Sequence, residues 1–259
     1  MYGPEIRSRN NIVTGVGYFM DGVRLLLHPK LRVYLLVPII INCILFFLLT
    51  SFFLTYLYGV VGSGFNWIPD WLAPWLAPLK WIAWLIFGAI FLMIYAYSFN
   101  MITNILAAPF YGLLAENTEK ILTGRDIEAE PLSAMIPRVT FREIQKLTYF
   151  LFRGILIILL ILMVSLIPVI QILAPLIGLA WGAWSMAIQY ADYPADNHQL
   201  EFRKLRLCLW QRMYSSLGFG GAIMSCSIIP FVNIFAMPAA VAGGTIYWVN
   251  ELNTCEAAE

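Results

Sequence analysis

Charged side chains are scarce in this sequence. Its 259 residues include sixteen Lys and Arg and fifteen Asp and Glu, 12% in all, whereas 61% of the residues are hydrophobic. A soluble domain has about 25% charged residues and about 45–50% apolar ones, so this composition excludes an ordinary soluble protein. Nine Trp and thirteen Tyr suit the aromatic belts of a bilayer. Because long uncharged runs favour helices in lipid, we expect an all-α integral membrane protein with a single membrane domain over residues 1–259.

Motifs of enzymes, metal sites and cofactor sites are missing as well. The sequence has no GxxxxGKS/T, HExxH or GxSxG pattern. Its four cysteines are far apart and form no CxxC pair, and the two histidines, His28 and His198, are also far apart. We therefore expect no catalytic site, no metal, no cofactor and no nucleic-acid partner.

Four long stretches carry no charged residue, and two of them are predicted to span the bilayer. Residues 33–58 and 81–108 are uncharged, and each exceeds the about 20 residues that a spanning helix needs. The segment between them is rich in Gly, Pro and Trp, which is typical of a short loop at the membrane surface. The sequence therefore predicts two long transmembrane helices.

The other two uncharged stretches, 154–191 and 213–250, are each interrupted by prolines. These are Pro168 and Pro175 in the first stretch, and Pro230 and Pro238 in the second. Proline removes a main-chain donor and clashes with the preceding turn, so the helices should break there. The resulting legs have about 14–16 residues, fewer than the about 20 that a span needs, which favours two half-penetrating helical hairpins. The alternative, full spanning with Arg153 and Arg212 reaching the interface, stays open.

The two predicted hairpins match each other in sequence. Each has an amide side chain between its prolines, Gln171 in the first and Asn233 in the second, and each follows a basic segment. This match indicates an internal duplication. Broken helices expose helix ends and amides that can line a transport pathway, whereas the alternative leaves the amides as helix caps. The candidate pathway or gating residues are Glu116, Arg138, Arg142, Arg153, Gln171, Arg212 and Asn233.

Two further segments lie outside the predicted spans. Residues 10–28 place apolar side chains at helical spacing, which predicts an amphipathic helix in the membrane interface. Its predicted apolar stripe contains Ile12, Val16, Phe19, Val23, Leu26 and Leu27. Residues 109–153 are the largest polar region and are predicted to form a cytoplasmic helical extension. We predict helices over 115–122 and 138–152, joined by a linker over 124–137.

The distribution of basic residues predicts the topology. Of the sixteen Lys and Arg, only Lys80 lies between the two predicted spans. Hairpins that enter and leave on one side keep the other basic residues on the opposite face of the membrane. The positive-inside rule makes that face cytoplasmic, so both termini should be cytoplasmic.

Basic residues are concentrated just before the first predicted span. Pro29 suits the first position of a helix, so the main-chain N–H groups of Lys30, Leu31 and Arg32 should be free at the positive end of the helix dipole. The Lys30 and Arg32 side chains add full charges, and Arg24 can reach back from the preceding helix. Such donors match a tetrahedral oxyanion, whereas the alternative is that these residues only set topology. The candidate anion-binding residues are Gly22, Arg24, Lys30, Leu31 and Arg32.

Several strings in this sequence resemble the CysZ family of bacterial sulfate permeases, over residues 17–249. The matching strings are Tyr18-Phe19 with Gly22, Pro29-Lys30-Leu31-Arg32, residues 107–116 (AAPFYGLLAE), residues 187–198 (AIQYADYPADNH) and residues 237–241 (MPAAV). The part of this pattern over residues 192–198 is the most specific, because it is long and polar.

The resemblance implies an inner-membrane protein that brings sulfate into the cell for cysteine biosynthesis. It also implies two long membrane helices with two half-penetrating helical pairs, assembly into homo-oligomers, and sulfate and the lipid bilayer as partners. Members often carry two adjacent arginines before the first span. Here Arg32 is followed by Val33, so Lys30 or Arg24 would supply the second charge. The alternative function is a non-transporting membrane scaffold or regulator that binds partners through residues 109–153.

Overall fold

The regular structure of this chain is helical. The computed structural model describes residues 10–64, 73–125 and 131–253, and no strand occurs in these ranges. The α-helices are α1 (Ile12–Leu26), α2 (Arg32–Gly64), α3 (Ala73–Thr123), α4 (Leu132–Ser165), α5 (Leu173–Asn197), α6 (Phe202–Gln211), α7 (Met213–Ser227) and α8 (Pro230–Tyr247). A short 3-10 helix, Ile170–Ile172, precedes α5, and a π-helix, Trp248–Leu252, follows α8. The all-α prediction is therefore confirmed.

Two compact units make up the chain. One is Ile39–Ala107, which contains most of α2 and the first part of α3. The other combines Met1–Pro38 with Ala108–Glu259. The predicted spans 33–58 and 81–108 lie within α2 and α3, so both ranges are helical. Their position in a bilayer stays a prediction.

In the unit Ile39–Ala107, aromatic side chains join α2 to α3. The ring centroid of Phe53 lies 5.3 Å from that of Phe91 and 5.1 Å from that of Tyr95. The hydroxyl groups of Thr50 and Tyr95 form a hydrogen bond of 2.7 Å. The described side chains on the other faces of the two helices are mostly apolar and exposed, as lipid-facing helices require.

Two segments within the described ranges are long and apolar enough to cross a membrane. They are Ser133–Ser165 in α4 and Ile170–Asn197, which contains the 3-10 helix and α5. Cys43–Tyr56 in α2 is a shorter apolar segment. The most apolar part of Ser133–Ser165 is 0% buried, whereas a soluble protein rarely exposes so large an apolar surface. This exposure agrees with the predicted membrane location.

Helices α1, α5, α7 and α8 pack at backbone distance through glycines. A Cβ atom on Gly22 would lie 2.4 Å from the carbonyl oxygen of Ala239, and one on Gly220 would lie 1.8 Å from that of Ala183. Small residues of this kind let membrane helices approach closely. Gly22 therefore allows α1 to contact α8, and Gly220 allows α7 to contact α5.

The apolar stripe predicted for α1 is divided between two surroundings. Phe19 and Leu26 are buried against the protein. The members of the stripe that are exposed are Ile12, Val16, Val23 and Leu27. The residues that α1 buries are Thr14, Gly15, Tyr18, Phe19, Gly22, Leu25 and Leu26. Helix α1 is apolar on two sides, so periodicity alone does not distinguish the face against α7 and α8 from the outward face. The location of α1 in the membrane interface stays a prediction.

Each predicted hairpin is broken at one of its two prolines. The chain leaves α4 before Pro168, and Pro230 is the first residue of α8, so these two predicted breaks are confirmed. The predicted break at Pro175 is wrong, because this residue lies in the first turn of α5, where its missing N–H would have no intrahelical partner. The predicted break at Pro238 is also wrong. Pro238 lies inside α8, where burial of the surrounding residues offsets the lost hydrogen bond.

The linker predicted over 124–137 is shorter in the structure. Helix α3 continues to Thr123 and is followed by Gly124, whose φ of 70° is readily adopted by glycine. Helix α4 already begins at Leu132 and includes Pro137. A proline in the second turn costs one main-chain hydrogen bond without ending this helix. The start predicted for this helix, residue 138, therefore lies later in the sequence than the observed start at Leu132.

We expect Gly220→Ala to destabilise the protein and Gly221→Ala to be tolerated. The new methyl group at Gly220 would meet the main chain of Ala183 at 1.8 Å, and overpacking of this kind costs about 1–3 kcal/mol. At Gly221 the nearest atom, Ala183 Cβ, is 3.9 Å away, so alanine should be neutral or add up to about 1 kcal/mol through helix propensity. Thermal unfolding in detergent, followed by circular dichroism, measures the difference. Equal melting temperatures would contradict the close contact of α7 with α5.

Candidate functional site

The turn between α1 and α2 carries the predicted anion-binding segment, and we call it the α1–α2 turn (residues 27–31). The helix start predicted at Pro29 is wrong, because α2 begins after this turn. His28 closes the turn: the Leu31 N–H donates to the His28 carbonyl at 3.0 Å, and the Lys30 N–H donates to His28 Nδ1 at 3.4 Å. Two of the three main-chain N–H groups predicted to be free are therefore engaged within the turn.

Three of the five predicted anion-binding residues have exposed cationic side chains at this turn or beside it. They are Arg24, Lys30 and Arg32. Arg24 pairs with Asp21 at 3.3 Å on the surface. Arg32 Nη2 donates to the Leu27 carbonyl at 3.3 Å. The turn and the adjoining end of α1 therefore present positive charge to the exterior.

The other two predicted residues, Gly22 and Leu31, are buried. Leu31 is 0% exposed. Gly22 lies against the Ala239 carbonyl and the main chain of Gly243 on α8. Both residues therefore position the turn, Gly22 by letting α1 approach α8 and Leu31 by filling space in the core. That an anion binds at this turn stays a prediction.

A second group of charged residues is buried between α4 and α5, and we call it the α4–α5 ion-pair cluster. Its members are Arg138, Arg142, Glu143, Lys146, Asp192 and Asp196. Arg142 donates through Nε and Nη2 to Asp192 Oδ1 at 2.9 and 2.7 Å. Lys146 Nζ lies 2.5 Å from Glu143 Oε1 and 3.3 Å from Asp192 Oδ2. Lys146 is only 1% exposed, so this contact is deep in the protein.

Helical spacing brings these charges together. Arg138, Arg142 and Lys146 recur every fourth residue on one face of α4, and Asp192 and Asp196 have the same spacing on α5. Arg138 forms an ion pair with Asp196. Three cations and three carboxylates balance, as the burial of charge requires. Two predicted pathway residues, Arg138 and Arg142, are therefore already paired with carboxylates.

Asp192 and Asp196 are the site residues that the sequence-based prediction missed. Both belong to residues 187–198, one of the strings that carry the family resemblance. Their spacing of four residues matches that of the basic residues on α4. Matched spacing of opposite charges is the signal that could have identified this helix pair.

A third polar centre joins α1 to the π-helix. The Tyr18 hydroxyl donates to Glu251 Oε1 at 2.7 Å, and Arg212 Nε lies 3.8 Å from Glu251 Oε2. Burial raises the pKa of the Glu251 carboxyl, while the Tyr18 hydrogen bond and the Arg212 charge act in the opposite direction. π-Helices are rare and frequently occur at functional sites. Arg212 therefore stays a pathway candidate with a defined partner.

The structure brings only part of the predicted pathway residues together. Three of them line one cavity of about 800 Å³ between α4 and α6, namely Arg138, Arg142 and Arg153. Glu116 is half-buried on α3, and Gln171 is exposed in the 3-10 helix. The side chain of Asn233 lies outside the described residues. Within the described ranges, no group of three or more His, Cys, Asp or Glu is arranged to hold a metal ion.

Long apolar helices with exposed surfaces indicate an integral membrane protein. The family described as Sulfate transporter CysZ/Etoposide-induced protein 2.4 matches residues 18–238, and the chain belongs to this family. The resemblance noted from the sequence is therefore confirmed.

Relatives named Sulfate transporter CysZ match this chain over nearly its whole length. The protein from Pseudomonas aeruginosa is 38% identical over 92% of this chain and 96% of its own length. The protein from Pseudomonas fluorescens is 41% identical over 93% of this chain and 94% of its own. The protein from Vibrio parahaemolyticus is 36% identical over 95% of this chain and 98% of its own.

Asp192→Asn should destabilise the protein strongly, because it removes the buried carboxylate that Arg142 and Lys146 share. Removal of one partner from a buried ion pair costs about 3–5 kcal/mol. The matched control is Asp21→Asn, which removes the surface partner of Arg24 and should cost less than about 1 kcal/mol. Thermal unfolding of both variants in detergent compares the two pairs. If the variants melt at the same temperature, the ion-pair cluster does not stabilise the fold in the way its burial implies.

Proposed function

We propose that this protein transports sulfate across the bacterial inner membrane into the cytoplasm, where the sulfate supplies cysteine biosynthesis. The observation that carries this proposal is the similarity, over more than nine-tenths of the chain, to proteins named sulfate transporters. The exposed cations at the α1–α2 turn provide the positive charge that a dianion requires. A transport role needs no catalytic residues, in keeping with the missing enzyme motifs.

The proposed membrane arrangement has two full spans and two half-penetrating hairpins. Residues 33–58 and 81–108 cross the bilayer as parts of α2 and α3. Helix α7 contains 15 residues, so at about 1.5 Å per residue it does not reach across a hydrocarbon core of about 30 Å. In the first hairpin the ion-pair cluster occupies the polar halves of α4 and α5, which leaves the halves near Pro168 to enter the lipid.

Helix α1 lies in the membrane interface in this arrangement. One face packs on α7 and α8, and the opposite face is exposed and apolar. The exposed apolar residues are Ile12, Val13, Val16, Met20, Val23 and Leu27. Both termini and the polar region over 109–153 lie on the cytoplasmic side, because almost all Lys and Arg are found on that side of the two spans.

Sulfate binds at the α1–α2 turn through Arg24, Lys30 and Arg32. The bond from Arg32 to the Leu27 carbonyl holds its guanidinium over the turn. Arg24 exchanges its surface contact with Asp21 for a contact with the dianion, which carries twice the charge. Hydrogen bonds between cationic donors and an oxyanion are about twice as strong as neutral ones.

The sulfate then needs a hydrated route, because a dianion in hydrocarbon is very costly. Arg138 and Arg142 are paired with carboxylates, so they position α4 on α5 and do not carry the anion. We place the route between copies of the chain in a homo-oligomer, along the exposed ends of the broken helices. The route candidates are Glu116, Arg153, Gln171, Arg212 and Asn233. An ion gradient or the consumption of sulfate in the cell drives the transport, since the sequence has no nucleotide-binding motif.

The transport proposal is tested by sulfate uptake into proteoliposomes. We expect radiolabelled sulfate to enter vesicles that contain the purified protein faster than protein-free vesicles of the same lipid. Uptake is measured first without an ion gradient and then with proton or sodium gradients directed into or out of the vesicles. Uptake at the protein-free level in every condition would contradict transport and favour a scaffold or regulator that acts through residues 109–153.

The binding proposal is tested by calorimetric titration of sulfate into the purified protein. Each of the variants Arg24→Ala, Lys30→Ala and Arg32→Ala should weaken sulfate binding by about tenfold, the loss expected for one charge-assisted hydrogen bond. Arg125→Ala removes an exposed arginine distant in sequence from the turn and should leave the affinity unchanged. Unchanged affinity in all three test variants at constant ionic strength would place the sulfate site elsewhere in the protein.

A further inference from the structure

A cavity of about 580 Å³ between α4, α5, α6 and α7 combines arginines with tryptophans, and we call it the arginine–tryptophan pocket. Its lining includes Arg153, Arg203 and Arg206, and no carboxylate is found among its lining residues. Pockets of about 300–1,000 Å³ commonly hold small molecules. A ligand that fits this pocket would combine negative charge with apolar surface.

The three arginines lack the partners that other arginines of this protein have. In the described part of the chain, Arg153, Arg203 and Arg206 form no ion pair, whereas Arg138 and Arg142 are paired with aspartates. Three positive charges at one pocket repel one another, and an anion bound between them would offset this repulsion. Arginine is the side chain best suited to a phosphate group, because its fork of N–H donors matches two oxygens.

Aromatic rings hold one of these arginines in place. The Arg206 guanidinium lies 4.5 Å from the ring centroid of Tyr149 and 4.9 Å from that of Phe202. Its Nε is buried and has no hydrogen-bond partner among the described residues. Tyr149 is one helical turn before Arg153 on α4, and Arg153, Arg203 and Arg206 line the same pocket. The pocket therefore offers unused arginine donors to an anion.

The rest of the pocket is apolar. Trp184 donates from Nε1 to the Tyr149 hydroxyl at 3.4 Å, and its ring lies 5.8 Å from that of Trp210. The aliphatic lining residues are Ile157, Ile177, Ala180, Leu207 and Leu217. Trp210 is 61% exposed and Leu207 is 53% exposed, so the apolar wall continues onto the outer surface. Tryptophan beside arginine is typical of the depth at which lipid headgroups meet acyl chains.

We propose that the arginine–tryptophan pocket binds an anionic phospholipid, with its phosphate at Arg153, Arg203 and Arg206 and an acyl chain against the apolar wall. Basic pockets between membrane helices recognise anionic headgroups in this way. A free oxyanion would use the arginines but would leave the apolar wall without a ligand, so the division of the pocket favours a lipid. The lipid joins α6 to α4 and α5. It is independent of the sulfate site at the α1–α2 turn, and by occupying Arg153 it removes this residue from the sulfate route.

Native mass spectrometry of the full-length protein tests this proposal. The protein is purified in detergent and titrated with dioleoylphosphatidylglycerol or with dioleoylphosphatidylcholine, which has the same acyl chains and no net charge. We expect phosphatidylglycerol to bind at least about tenfold more tightly, because its phosphate charge is not neutralised within the headgroup. Equal retention of the two lipids would overturn the proposal.

Two variants and a control show whether the lipid occupies this pocket. Arg203→Gln removes an exposed charge and should weaken phosphatidylglycerol binding by about tenfold, the loss of one charge-assisted contact. Ala180→Phe fills the apolar part without a change of charge and should lower the retention of phosphatidylglycerol as well. Arg125→Gln, which changes the net charge by the same amount as Arg203→Gln, should retain wild-type binding. An equal loss in Arg203→Gln and Arg125→Gln, or wild-type binding in Ala180→Phe, would contradict a lipid in the pocket.

A competition experiment separates a lipid from a free oxyanion. Inorganic phosphate and sodium sulfate, each added at equal ionic strength, should leave the bound phosphatidylglycerol in place, because neither reproduces the acyl-chain contacts. Displacement of the lipid by either salt, beyond that caused by sodium chloride, would overturn the proposal and assign the pocket to a small oxyanion.

Discussion

Lys146 on α4 is 1% exposed, and its ammonium group lies between two carboxylates with the Tyr193 ring centroid 4.5 Å away. A charge at this depth is stable only if its partners are in place, because an unpaired buried charge costs several kcal/mol. Helices α4 and α5 must therefore pack in one register. That register positions the turn around Pro168, and Arg142 also lies over the ring of Phe202, the first residue of α6.

The basic residues of this protein thus have two different roles. Those of the α4–α5 ion-pair cluster are neutralised by carboxylates and maintain the arrangement of helices. Those at the α1–α2 turn and at the arginine–tryptophan pocket lie at the surface, with only Arg206 partly buried. Because the buried charges balance within the cluster, the exposed ones determine the electrostatic potential at the protein surface.

Sequence reasoning recovered the helical membrane fold and the breaks at Pro168 and Pro230, because composition and proline chemistry act locally. It placed breaks at Pro175 and Pro238 as well, where helix position and tertiary packing decide whether proline is tolerated. The apolar stripe of α1 contains both buried and exposed residues, since lipid and protein interior favour the same side chains. Hydrophobic periodicity therefore separates the buried face of a helix from its exposed face less well in this protein than in a soluble one.

The cations of the α1–α2 turn were predictable from the sequence, and the state of its main-chain donors was not. Pro29 is compatible with a helix start, but His28 accepts two N–H groups through its carbonyl and its ring, and α2 begins later. The aspartates of the ion-pair cluster were missed because their partners are far away in sequence. Arg142 and Asp192, for example, are 50 residues apart.

The glycine contacts of α1, α5, α7 and α8 have a mechanical consequence. Main chains that touch without intervening side chains have little freedom to slide, so these four helices should move as one rigid block, and any gating motion must come from segments outside it.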